Sequence, residues 1–142
     1  MNESIELLKL VYKNAKMGVV GIENIKNGIK DRDFAKLIRE QENDYYEMCT
    51  KTIKQLSLTN TNKEDVSKMA ELMTFMEATM EMLKDNSPSN IAKMMIKSTN
   101  IGIVELEEKL NNYQNVDKKS RALAKELLRM EKRNIDALKK YL

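Results

Sequence analysis

Four glutamates, two of them leading short pairs, are the residues of this sequence best placed to do chemistry. Glu23 and Glu107 stand alone, while Glu42-x-x-Tyr45 and Glu131-x-x-Asn134 set two oxygen-bearing side chains three residues apart. On a helix that spacing puts both side chains on one face, where they can share a metal. An all-oxygen site built on the four glutamates would suit Mn, Mg or Ca. A simpler arrangement needs no ligand: the glutamates lie at helix edges or pair with Lys and Arg. Ionised, unpaired carboxylates inside a bundle are too costly to persist. Glu42 and Glu131 fall within apolar stripes and are the most exposed to that objection. Between these extremes lies a vestigial polar pocket, in which Tyr45 and Asn134 hydrogen-bond the carboxylates.

Other reactive types are thinly spread. Met69, Met73, Met76 and Met80 recur in steps of four, three and four, with Met94 and Met95 following. Thioethers can bind Cu(I), but they are also ordinary core fillers and adaptable partner surfaces. Cys49 is the single cysteine, so no intramolecular disulfide can form, and a buried, inert thiol is expected. The sequence has no His, which leaves a papain-like nucleophile without its base. Arg129, Lys132 and Arg133 cluster, yet aromatic stacking partners are scarce, so no nucleic-acid partner is expected. Gly18, Gly21 and Gly102 sit inside helical patterns instead of a phosphate-cradling loop. Each costs up to about 1 kcal/mol against Ala in helix propensity, which implies close helix approach in return.

The elements that must position these groups are helices. With 4 Gly and 1 Pro in 142 residues, little breaks them. Five segments can be read. The first, 4–29, carries the stripe Leu8, Val11, Ala15, Gly18, Ile22, Ile25, Ile29 in alternating steps of three and four, a bundle seam. Gly28 and Asp31-Arg32-Asp33 suit a tight reversal. The second, 33–57, has the stripe Ala35, Ile38, Glu42, Tyr45, Cys49, Thr52, Leu56. Thr61 with Glu64 forms a capping-box pattern that opens a third, 63–84. Ser87 is a good N-cap before Pro88, and the fourth, 88–113, has the stripe Ala92, Ile96, Thr99, Ile103, Leu106, Leu110, Tyr113. After a turn at 111–116, Asp117 caps the fifth. That helix shows two stripes: Leu123, Leu127, Met130, Asn134, Ala137, Tyr141 and Ala124, Leu128, Glu131, Ile135, Leu138, Leu142. The expected organisation is one all-α domain over 1–142: a helical hairpin 4–57, a connecting helix 63–84 and a hairpin 88–142.

Net charge is +3, so no global field calls for nucleic acid. The charge is uneven: residues 117–142 carry nine Lys/Arg against four Asp/Glu, and residues 63–85 carry three against six. Two solvated faces that attract each other explain this. A docking surface for an anionic partner is the sharper reading. No apolar run approaches the length of a membrane span, and the start Met1-Asn2-Glu3-Ser4 lacks a basic region followed by an apolar stretch. No membrane partner and a cytoplasmic location are therefore expected.

The two ends of the chain resemble each other. Gly18-Val19-Val20-Gly21-Ile22-Glu23 aligns with Gly102-Ile103-Val104-Glu105-Leu106-Glu107 at an offset of 84. The run 35–42 aligns with 124–131 at an offset of 89, a difference that fits a longer turn in the second half. Each half would then be one hairpin, with Glu23 equivalent to Glu107 and Glu42-x-x-Tyr45 to Glu131-x-x-Asn134. A di-iron bundle takes one Glu from each of two helices and Glu-x-x-His from the other two. In layout, in the Gly-x-Val-x-Ile/Leu-Glu pattern and in its Glu pairs, the chain resembles the ferritin-like superfamily, and most of all small bacterial ferritin-like domains of uncharacterised function. The resemblance spans nearly the whole chain. It implies an antiparallel four-helix bundle with an additional shorter connecting helix. Tyr45 and Asn134 stand where the iron-binding members of the family have His.

The expected function is accordingly a non-catalytic structural or interaction protein without a cofactor. The resemblance points towards stress or sporulation, because spore-coat-type proteins occur among ferritin-like chains. Self-association or a helical protein partner would serve such a role. Two other readings are a metal-binding or redox protein using a degenerate glutamate site, and a helix-mediated regulatory module that binds through the Met face of 63–84.

Overall fold

The computed structural model describes residues 2–59 and 85–142, and every regular element among them is helical. Four long helices form the frame: α1 (Glu3–Ile25), α2 (Arg32–Ser57), α3 (Pro88–Asn112) and α4 (Lys118–Leu138). Short 3-10 turns extend α1 through Lys26–Gly28 and α4 through Lys139–Tyr141. The expected connecting helix 63–84, its capping box and the stripe Met69–Met80 lie outside the described residues.

Local chemistry sets the helix starts. Asn2, Asp31, Ser87 and Asp117 each turn a side-chain oxygen onto backbone N–H groups of the first turn, satisfying donors that have no partner within the helix. Pro88 follows Ser87 at the first position, where its missing N–H costs nothing. The reversal after α1 uses a 3-10 turn, and no described glycine has a left-handed backbone. The first helix therefore ends at Ile25, four residues before the expected end.

Inter-helix pairs fix the directions. Gln41 meets Asn134, Tyr45 meets Glu131 and Lys51 meets Glu126, so α2 and α4 run antiparallel. Lys13 meets Glu105, and Asn14 Nδ2 donates to the Gly102 carbonyl, so α1 and α3 are antiparallel too. At one end the backbone N–H of Asn115 reaches Glu3 and that of Asp117 reaches Ser4 Oγ, which sets the start of α4 beside the start of α1. Since α2 reverses from α1, α2 and α3 run in the same direction. The chain thus leaves α2 at one end of the bundle and enters α3 at the other. There Asn86 lies beside the α1–α2 turn, 3.3 Å from where a β-carbon on Gly28 would sit.

The core is continuous between the helices. Leu7, Leu8, Val11, Ala15, Val19, Ile22, Phe34, Ile38, Met48, Ile91, Leu106, Leu127 and Leu138 are sealed from solvent or nearly so. Phe34 and Tyr141 close one end with tilted rings 4.6 Å apart. Burial of such a set at about 25 cal/mol per Å² is the main force holding the bundle.

Candidate functional site

The six candidate residues fall into four separate environments. Glu23 is on the surface of α1, where its carboxylate accepts a hydrogen bond from the Tyr46 hydroxyl. That bond, ahead of burial, pushes the Tyr46 phenol up to about 12. Glu107 is half-buried on α3 and pairs with Lys132 of α4 at 2.9 Å. Glu42 is buried on α2, and Lys26 reaches both of its oxygens, at 3.3 and 3.2 Å. Lys26 belongs to the 3-10 turn, so the tightened end of α1 delivers the counter-ion.

The fourth environment holds the other three candidates. Tyr45, Glu131 and Asn134 are all buried between α2 and α4. The Tyr45 hydroxyl donates to Glu131 Oε2 at 3.2 Å. Gln41, one turn earlier on α2, donates from Nε2 to the Asn134 carbonyl at 3.2 Å. Thr99 of α3 and Asn134 also approach the Tyr45 oxygen and favour its ionised form. Burial and the facing Glu131 outweigh them and hold the phenol far above its ordinary range. Tyr45 can occupy this position because α1 carries no side chain opposite its ring. A β-carbon on Gly18 would lie 2.5 Å from Tyr45 Cγ and Cε2.

Three polar atoms of this layer have no hydrogen bond of good geometry: Gln41 Oε1, Glu131 Oε1 and Asn134 Nδ2. An ionised carboxylate with one bonded and one bare oxygen is expensive away from water. Burial accordingly pushes the Glu131 carboxyl up to about 8, against a smaller downward pull from the Tyr45 hydroxyl. Below pH 8 Glu131 is mostly a neutral acid. Cys49, one turn from Tyr45, is buried as well. Loss of water pushes its thiol up to about 11, beyond the opposing pull of Lys16, so it stays protonated at neutral pH and is a poor nucleophile.

An imidazole-supported metal centre does not fit this donor set. There is no His. Lys26 already neutralises Glu42, and Glu131 keeps its proton near neutrality. Among the described residues no group of three or more His, Cys, Asp or Glu side chains lies close enough to hold a metal ion. The arrangement can instead donate and accept hydrogen bonds inside a buried core, and release one proton above neutrality.

Gln41 was not singled out by sequence reasoning, although the signal was present. Phe34, Ile38, Gln41, Tyr45, Met48 and Thr52 form a second three-four stripe on α2, all of it buried. The stripe through Glu42 and Cys49 shares Ile38, Tyr45 and Thr52 with it and masks it. No family model, curated protein or solved structure matches the chain.

Proposed function

We propose that this chain is a non-catalytic bundle of ferritin-like design, acting as a structural or interaction protein. In this reading three of the residues at the family's metal-holding positions, Tyr45, Glu131 and Asn134, have become part of a hydrogen-bonded layer of the core. The direction of the helices supports the family assignment. With α2 parallel to α3 the chain needs a single long crossover, the connectivity that separates ferritin-like folds from simple up-down bundles. The observation that carries the functional reading is the Tyr45–Glu131 pair. A phenol stands in the place of one imidazole and donates a hydrogen bond to the carboxyl that a metal would need. A stress- or sporulation-related setting rests on the resemblance alone.

The test is metal content and iron oxidation, measured on protein purified without chelators. Iron should be well below one equivalent per chain, and added Fe(II) should oxidise no faster than in buffer. Two irons per chain, lost in Glu42→Gln or Glu131→Gln, would overturn the reading. Stoichiometric Mn or Mg lost in the same variants would replace it with a metal-binding role.

A further inference from the structure

We propose that the outer face of α3 is the seam of an antiparallel homodimer, paired with α3 of a second copy. This surface shares no residue with the Tyr45–Glu131 layer, and the inference stands whatever becomes of the functional reading above. Two large apolar side chains on α3, Ile101 and Val104, are 66% and 63% exposed. They point away from the core stripe of Ala92, Ile103 and Leu106. A lone exposed apolar residue needs no explanation, but these two belong to a pattern. Lys97, Ile101, Val104, Glu108 and Asn111 follow one another in steps of four, three, four and three and are all exposed. Half-buried Met94 extends the row by one step. α3 therefore carries a second bundle-type seam, turned outward.

The charges select the occupant. Lys97 and Glu108 are equally spaced from the midpoint of the Ile101–Val104 pair, one on each side. A two-fold axis at that midpoint would stack Ile101 against Val104 of the partner subunit. It would also set Lys97 opposite Glu108 of the partner subunit, twice per dimer. A two-fold interface must be self-complementary in this way. A parallel pairing would bring like charges together. Neither Lys97 nor Glu108 makes an ion pair among the described residues, so both are free to pair across the seam. α3 is 25 residues long, about 38 Å at 1.5 Å per residue, which gives the contact room along the whole helix. With only two apolar residues at its centre, the dimer is weak and concentration-dependent.

Sedimentation equilibrium from about 10 μM to about 1 mM chain, the range that brackets a weak dimer, tests this. The protein should associate reversibly to a dimer. Ile101→Glu or Val104→Glu should leave it monomeric throughout. Lys97→Glu and Glu108→Lys should each weaken association on the order of tenfold, and the double exchange Lys97→Glu with Glu108→Lys should recover most of that loss. Recovery in the double variant identifies antiparallel α3 pairing, since association through another surface would ignore all four variants. Three sedimentation results overturn the proposal. One is a monomer at every concentration, and another is a dimer indifferent to Ile101→Glu. The last is a double exchange no tighter than the single variants. Thermal melts of the same proteins complete the test. A monomer whose melting point falls sharply in Ile101→Glu would mean that the face is covered within its own chain, which also overturns it.

Discussion

Replacing Glu131 by Gln should stabilise this protein at neutral pH, by an amount that grows with pH. The carboxyl sits at about 8 in the folded chain, against an ordinary 4.5. Between those values the folded chain holds a proton that the unfolded chain has released. Stability therefore falls as pH rises through the window from 4.5 to 8 and levels off above it. At about 1.4 kcal/mol per tenfold change in proton affinity, the full penalty is roughly 5 kcal/mol, of which roughly 3 kcal/mol is already felt at pH 7. Gln has nearly the same shape, offers Tyr45 an acceptor oxygen and carries no proton to lose. Urea unfolding of both proteins from pH 4.5 to 9 measures the difference, and the titration of every other carboxylate cancels in the comparison. Near pH 4.5 the two should agree within about 1 kcal/mol, the scale of one hydrogen bond made or lost. By pH 8 the variant should lead by several kcal/mol. A variant that is less stable than the parent at pH 8, or a difference flat across the range, would refute the reasoning.

Tyr45→Phe should destabilise the fold by about 1–3 kcal/mol, the cost of leaving a buried acceptor unbonded. Because the Tyr45 hydroxyl pulls the Glu131 carboxyl down, its loss should also move that titration above 8, which the carboxyl carbon shift of Glu131 would report by NMR. Gly18→Ala should cost about 1–3 kcal/mol through overpacking, since a β-carbon there meets the Tyr45 ring. Thermal unfolding checks this, and the double variant Gly18→Ala with Tyr45→Ala should recover part of the loss from Gly18→Ala.

The features legible in the sequence were those encoded locally. Ser87-Pro88 and Asp117 announce helix starts because a cap is made by neighbours in the chain. The three-four stripes placed Glu42, Tyr45, Glu131 and Asn134 inside because period alone decides which face is turned inward. Partner choice was not legible. Lys26 reaches Glu42 from the end of α1 across to the next helix, and nothing in the residues 26–28 states that distance. Glu23 follows Ile22 by one residue, and that step of about 100° carries it from the seam to the surface, where it finds Tyr46. The repeat gave Gly18 and Gly102 equivalent places in two hairpins. Gly18 lies against Tyr45 of its own hairpin, whereas Gly102 lies against Asn14 of the other. Two glycines in one sequence pattern thus serve different crossings, because side-chain size across the gap is a property of the neighbour.

The layer formed by Gln41, Tyr45, Glu131 and Asn134 is an odd thing for a stable bundle to keep. Three of its polar atoms lack good partners, and a neutral side chain at 131 would hold the fold more firmly at neutral pH. Buried polar groups of this kind are weak evidence for stability, and their best-attested structural use is to set register between helices. The positions here suit that use. Gln41–Asn134 and Tyr45–Glu131 join α2 to α4 at successive turns, with Lys51–Glu126 continuing the line outside the core. Sliding α4 by one turn, about 5.4 Å, would break both core contacts at once and leave either Gln41 or Tyr45 opposite a leucine, Leu138 or Leu127. An apolar α2–α4 interface would resist such a slip far less, because Leu, Ile and Met fill one another's places at small cost. Glu131 makes the constraint conditional. While it keeps its proton, the layer is neutral and the register is held at modest expense. As pH passes about 8, Glu131 becomes an anion with one oxygen bonded by Tyr45 and the other unbonded, and the burial of that charge weakens the α2–α4 pairing that the layer specifies.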